Sequence, residues 1–234
     1  MKSRNSIEIL STGLLDKKLI TIASDNNIVI DIVPFIHSET IDNNSIKEKI
    51  TNLSRQNIHV AFTSINAVSA VASLLPGIPN WGIYCIENAT LKLILEKFGH
   101  DQILGSAPNA SALSKTIIEA KKVEKVVFFC GNHRRDELPE LLHDNGIPVE
   151  EVMVYTTKLT PVAISKKYNG IIFFSPSAVK SFFSINTLGP KTAIFAIGQT
   201  TAASIKKYSL SKVIMAERTS RQQIIESLIE HFNK

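Results

Sequence analysis

The chain has 234 residues, 44% hydrophobic and 20% charged, with a mean hydropathy of +0.10; that composition supports a buried core and excludes a disordered, collagen-like or coiled-coil protein. A formal net charge of +5 and a pI near 9.1 suit an anionic partner, either nucleic acid or a polycarboxylate. The length fits one large domain or two small ones.

The opening Met1-Lys2-Ser3-Arg4-Asn5-Ser6 has the cations of a signal peptide but no apolar stretch of about 7–15 residues behind it. No later run reaches about 18 apolar residues, so a cytoplasmic chain without a membrane partner is expected. In chain order the pattern predicts strand Ile7–Ser11, helix Leu14–Asn26, strand Ile28–Val33, helix Asn44–Arg55, strand Ile58–Thr63, helix Ala67–Leu75, strand Trp81–Ile86 and helices Ala89–Phe98 and Ala110–Lys121. There follow strand Lys125–Cys130, helix Glu137–Asn145, strands Pro148–Tyr155 and Gly170–Phe174, helix Ala178–Ile185, strand Thr192–Ile197, helix Thr201–Lys207, strand Lys212–Met215 and helix Ser220–Phe232. Short Val/Ile/Phe-rich runs alternating with helical spacing are the mark of βαβ units around a largely parallel sheet. Pro34–Glu39 and the polar stretch Thr156–Pro161 read as linkers. Cys85 and Cys130 end apolar runs without CxxC spacing, as buried reduced thiols do. Trp81 starts an apolar strand and is expected in the core.

The chain repeats itself. Phe62-Thr63-Ser64-Ile65-Asn66-Ala67-Val68 matches Phe173-Phe174-Ser175-Pro176-Ser177-Ala178-Val179, and Ile83–Thr90 matches Ile194–Thr201 at the same spacing of 111 residues. A weaker echo at 119 residues links Asp25-Asn26-Asn27-Ile28 to Asp144-Asn145-Gly146-Ile147. A duplicated β/α unit follows from the shared spacing.

In each copy Ser64 or Ser175, and later Thr90 or Thr201, follows a strand and precedes a helix. That is where α/β sheets bind ligands, and where helix N-termini offer free N–H groups and positive dipole ends to carboxylate or phosphate. The plain alternative is that all four hydroxyls are N-caps facing no ligand. A third strand end, Cys130-Gly131-Asn132-His133-Arg134-Arg135-Asp136-Glu137, offers a guanidinium fork for an anion; equally, Arg134 and Arg135 can pair with Asp136 and Glu137. His133 reads as an exposed loop residue. Tyr155, ending its strand beside a linker, can either donate a proton or pack one edge of its ring. The sequence lacks G-x-G-x-x-G, Walker, H-E-x-x-H and G-x-S-x-G motifs, and its six histidines are scattered. Metal, dinucleotide and acyl-enzyme chemistry thereby lose support. Dispersed cations and 7% aromatics argue against nucleic acid.

F-T-S-x-N-A-V at Phe62–Val68, N-A-T at Asn88–Thr90, C-G-N-x-R-R-D-E-L-P at Cys130–Pro139, V-Y-T-T at Val154–Thr157, F-F-S-P-S-A-V at Phe173–Val179 and A-I-G-Q-T-T-A at Ala196–Ala202 together resemble the uroporphyrinogen-III synthase family, over nearly the whole chain. The chain departs from it at Thr12-Gly13, where many members carry Thr-Arg. The resemblance implies an α/β fold of two similar parallel-sheet domains, joined by two crossing linkers, with the active-site cleft between them. Residues 1–35 with 160–234 would form one discontinuous domain and 39–155 an inserted one, with 36–38 and 156–159 as linkers. It implies a lyase without cofactor or metal that closes hydroxymethylbilane, a linear tetrapyrrole polycarboxylate, into uroporphyrinogen III, turning the last pyrrole ring and losing water. In the family route the hydroxyl departs, the substituted carbon of the terminal ring attacks the azafulvene cation, and the spiro intermediate fragments and recloses. Tyr155 would protonate the departing hydroxyl, and Ser64, Thr90, Arg134, Ser175, Ser177, Thr200 and Thr201 would bind substrate. A monomer in transient contact with the enzyme that makes hydroxymethylbilane is further implied. The rival reading is a non-enzymatic two-domain protein that binds a small anionic ligand and has no need of Tyr155.

Overall fold

A computed structural model of the chain describes residues 6–233; the signal-peptide reading of the first residues lies, apart from Ser6, outside the described residues. The chain forms two compact units. A terminal unit joins the stretch up to His37 to the stretch from Lys158 onward, and a central unit comprises Ser38–Thr157.

The terminal unit holds β1 (Ile7–Ser11), α1 (Lys17–Asp25), β2 (Ile28–Ile32), β9 (Gly170–Phe173), α7 (Pro176–Phe183), β10 (Ala193–Ala196), α8 (Gln199–Ile205), β11 (Val213–Met215) and α9 (Arg221–Phe232). Its strands lie in the order β11-β10-β9-β1-β2, every neighbouring pair parallel. The central unit holds α2 (Asn44–Ser54), β4 (His59–Phe62), α3 (Ile65–Leu74), β5 (Gly82–Ile86), α4 (Ala89–Phe98), β6 (Ile103–Ala107), α5 (Ala110–Glu119), β7 (Val126–Gly131) and α6 (Glu137–Asp144). Two further strands, β3 (Ile36–Thr40) and β8 (Val149–Leu159), belong to the same sheet, in the order β3-β8-β7-β4-β5-β6. The pairs from β8 to β6 are parallel. β3 runs against β8: Ile41 N–H donates to Val154 O and Thr160 N–H to Phe35 O.

The pleat sends alternate strand residues to opposite faces, and both units bury both faces. In the central unit Val60, Phe62, Cys85, Val127 and Phe129 pack with Ile50, Val68 and Ile94, while Ala61, Tyr84, Phe128 and Cys130 pack with Leu113, Ile117, Leu138 and Leu142. In the terminal unit Leu10, Ile171, Phe173 and Ile194 meet α7 and α8, and Ile9, Ile28, Ile172 and Phe195 meet α1 and α9. Such doubly covered sheets account for the near-continuous apolar strand runs. Trp81 is buried with its indole N–H on Leu53 O at 3.0 Å, as a core Trp requires. Both cysteines are buried and unpaired, and burial, with Glu87 nearby, pushes the Cys85 thiol up to about 11.

The sequence-predicted elements are present with shifted ends, and two strands are added. β3 carries the polar sequence IHSET where a linker was expected, and β8 continues through Thr156–Leu159; segments 36–38 and 156–159 are extended, hydrogen-bonded strand. β6, ILGSA, has a central glycine and too short an apolar run to signal a strand. Helix α1 starts at Lys17 rather than Leu14 because Asp16 caps it, accepting from Leu19 N–H at 2.9 Å. Among the described residues no helix is long and apolar enough to cross a membrane, and no group of His, Cys, Asp and Glu is arranged to hold a metal ion.

Candidate active site

In doubly wound sheets, ligands bind beyond the C-terminal strand ends where the strand order reverses. In the central unit that point lies between β4 and β7, whose chains leave toward opposite edges. Thr63-Ser64 follow β4 and Asn132 follows β7. In the terminal unit the point lies between β1 and β9, followed by Thr12-Gly13 and Phe174-Ser175.

Of the four hydroxyls, Ser64 and Ser175 cap helices, whereas Asn88 and Gly198, not Thr90 and Thr201, stand at the N-cap positions of α4 and α8. Ser64 Oγ accepts from Asn66 N–H at 3.2 Å at the start of α3, and Ser175 Oγ from Ala178 N–H at 3.1 Å at the start of α7. Among the described residues Ser64 has a second partner that Ser175 lacks: the Tyr155 hydroxyl donates to its Oγ at 3.0 Å. The register between β7 and β8 creates this contact. Cys130 pairs with Met153 but Gly131 with Tyr155, so one residue of β8 is extra there. Tyr155 then lies across Gly131, where a Cβ would come within 2.6 Å of Cε2 and 2.8 Å of Cε1; only glycine leaves room for the ring. Burial raises the phenol above the ordinary tyrosine range, the bond to Ser64 offsetting part of the shift. The hydroxyl is therefore protonated at neutral pH and aligned as a donor.

Around this pair runs a hydrogen-bonded network. The Asn132 carboxamide takes the Thr157 N–H at 2.8 Å and gives a proton to Thr157 O at 3.3 Å. Thr157 Oγ1 lies 2.9 Å from Ser38 Oγ, which accepts from Asn66 Nδ2 at 3.2 Å. Sequence reasoning missed Ser38, Asn66, Asn132 and Thr157 as participants; the C-G-N, S-x-N and V-Y-T-T motifs hint at all but Ser38.

The remaining candidates are distributed as follows. Thr90 sits in the first turn of α4, 4% exposed, behind Asn88, whose φ of 66° and ψ of −126° lie outside the regions side-chain-bearing residues favour. Such strain is typical of functional segments. Ser177 is half-buried in the first turn of α7; Thr200 is exposed and Thr201 4% exposed in the first turn of α8. Of the two alternatives for Arg134, pairing with acidic neighbours is the one observed: Nε and Nη2 engage Glu151 and Nη1 engages Asp136. Its fork is occupied within the central unit, tying the loop after β7 to β8. His133 and Arg135 are exposed.

A family model described as "Uroporphyrinogen-III synthase HemD" matches residues 18–226. Among solved structures, a mutant uroporphyrinogen III synthase from Thermus thermophilus is similar, with a TM-score of 0.67 and 13% identity, covering 97% of this chain and 98% of that one. Uroporphyrinogen-III synthetase from Helicobacter pylori gives a TM-score of 0.66 and 18% identity, over 96% and 99% of the two chains. The wild-type Thermus protein in another crystal form gives 0.53 at 12% identity, over 97% and 98%. At these identities the likeness is one of fold, two α/β domains along nearly the full chain.

Proposed function

We propose, from the premise that this chain belongs to the uroporphyrinogen-III synthase family, that Tyr155 is its proton donor and that capped helix N-termini in each unit hold the carboxylates of its substrate. The enzyme is a lyase of tetrapyrrole biosynthesis, and the family's activity is favoured over the non-enzymatic binding protein. The observation that carries the residue assignment is the Tyr155 phenol fixed on Ser64 at the point where the strand order reverses.

The chemistry asks little covalent work of the protein and much positioning. Tyr155 gives its proton to the hydroxyl of hydroxymethylbilane, which leaves as water and makes the azafulvene cation. Ser64, whose hydroxyl accepts from the phenol in the resting state, turns its own proton toward the phenolate formed. After the terminal ring has turned and reclosed, the carbon that forms the new bond sheds one proton, which returns to the phenolate. The acetate and propionate arms are taken by free N–H groups and hydroxyls of Ser64 and Thr90 in the central unit and of Ser175, Ser177, Thr200 and Thr201 in the terminal unit. Arg134 takes no part in this assignment, because its charge is spent on Glu151 and Asp136.

The proposal extends to a single copy acting in the cytoplasm, supported by two unpaired buried thiols that suit a reducing compartment. Because the substrate closes unaided, transient contact with the enzyme that makes it would shorten its exposure. The test is to supply freshly generated hydroxymethylbilane, oxidise the products and separate the isomers. Isomer III is expected, and isomer I alone at the rate without protein would refute the reading.

A further inference from the structure

The side chains around Tyr155 close a ring that the reaction itself does not require. Starting from the phenol, Tyr155 donates to Ser64; Ser64 accepts from the Asn66 backbone; the Asn66 carboxamide donates to Ser38; Ser38 meets the Thr157 hydroxyl; and Thr157 lies two residues from Tyr155 along β8. One residue outside the ring holds its backbone side. β7 ends at Gly131, and Asn132 continues the ladder with its side chain, taking Thr157 N–H at 2.8 Å and giving a proton to Thr157 O at 3.3 Å. A carboxamide has the donor and acceptor of a peptide group, so it replaces the next residue of the missing strand.

We infer that Asn132 is a positioning residue for the reaction: by gripping both backbone groups of Thr157 it keeps β8 in the shifted register that lays Tyr155 across Gly131 and onto Ser64. The need for such a grip follows from the bulge. Just past the register change β7 ends at Gly131, so β8 has no regular backbone partner from β7 beyond Tyr155, and a slip of one residue would send the tyrosine to the other face of the sheet. Asn66 serves the same end from the opposite side of the ring, through Ser38. Neither carboxamide is buried, so their removal leaves the cores intact. This inference rests on the reading of Tyr155 as proton donor.

The test is a double-mutant cycle with hydroxymethylbilane. Asn132→Ala is expected to lower kcat about tenfold, as small misplacements of a reacting group do, with KM little changed. In the Tyr155→Phe background the same substitution should change kcat less than about twofold, because its effect runs through the phenol. Asn66→Ala, which keeps β8 fully paired to Asn132, should show the same dependence with a smaller drop and guards against misfolding of the first variant. An equal loss with and without the phenol would overturn the inference. A second readout needs no turnover. Ultraviolet titration of the phenols, with the Tyr155→Phe spectrum subtracted, should show Tyr155 ionising at lower pH in Asn132→Ala as the ring loses its burial. An unmoved titration would likewise overturn the inference. Absence of isomer III from the wild-type protein would count against the functional reading alone, and the titration would still decide the role of Asn132.

Discussion

The two units of this chain have one strand order, read from different starting points. In the central unit the parallel strands lie as β8-β7-β4-β5-β6; in the terminal unit they lie as β2-β1-β9-β10-β11. Beginning the terminal unit at β9 makes the two coincide, β4 with β9, β5 with β10 and β7 with β1. This permutation explains why two repeat spacings occur, 111 residues for the motifs at Phe62 and Ile83 and 119 for the echo at Asp25. The strand ends then differ informatively. Ser64 and Ser175 are equivalent caps, but the chain after β1, Thr12-Gly13-Leu14-Leu15, has no carboxamide to match Asn132, and the chain after β2, Val33-Pro34-Phe35-Ile36, has no tyrosine to match Tyr155. Both units have serine-capped helix starts after these strands; among the described residues only the central unit joins a phenol to such a cap and a carboxamide to the strand that carries the phenol. On the proposed assignment the difference would separate gripping, shared by both copies, from proton transfer, carried by one.

Substitutions at the two sets of strand ends can break this division. The largest effect is expected for Gly131→Ala, whose methyl would occupy the place of the Tyr155 ring: kcat should fall about a hundredfold and stability by about 1–3 kcal/mol. Gly13→Ala in the terminal unit meets the edge of a movable Phe174 ring at 3.0 Å, and steady-state kinetics should show only a few-fold change. Next comes Tyr155→Phe, expected to cost about tenfold to a hundredfold in kcat, clearly more than Thr90→Ser does; equal activity of both with wild type would remove Tyr155 from the mechanism. Ser175→Ala should lose about 1 kcal/mol of stability with its cap, seen by denaturant titration.

Two pH effects are smaller. Because the folded Tyr155 phenol lies above its ordinary value of 10.0, its contribution to stability is complete below that pH. It is lost as pH rises through the folded value, so activity should persist to pH 10 and fall beyond it in step with tyrosinate absorbance. In the terminal unit, hydrogen bonds from Lys166 and Tyr168 hold the Asp31 carboxyl below its ordinary 3.8. That contribution is present above 3.8 and fades as pH falls through the lowered value. Asp31→Asn should accordingly lower Tm by about 1–2 °C at neutral pH, with the gap closing in acid.

Much of this architecture was legible in the amino-acid order because apolar runs, caps and a duplicated motif are local signals. Ser220 before an Ile/Leu stripe marked the start of α9, and Ser220 Oγ does accept from Gln223 N–H at 3.1 Å. Ser64 and Ser175 were recognisable too, although α3 and α7 begin two residues earlier than their apolar spacing implied, because the cap starts a helix before its first buried residue. β3 was hidden because an edge strand held by backbone bonds needs no apolar side chains. The bond from Tyr155 to Ser64 spans 91 residues, and the grip of Asn132 on Thr157 spans 25 and ends on backbone atoms. No spacing rule encodes either. Arg134 shows the converse, since a guanidinium beside Asp136 reads equally as an anion grip or an ion pair until Glu151 is seen on the neighbouring strand.

The division of labour is tested most directly by measuring kcat and KM for hydroxymethylbilane in Tyr155→Phe and Ser175→Ala side by side. Loss of kcat at nearly constant KM in the first, with a raised KM at nearly constant kcat in the second, is the expected result; an equal loss of kcat in both would contradict it.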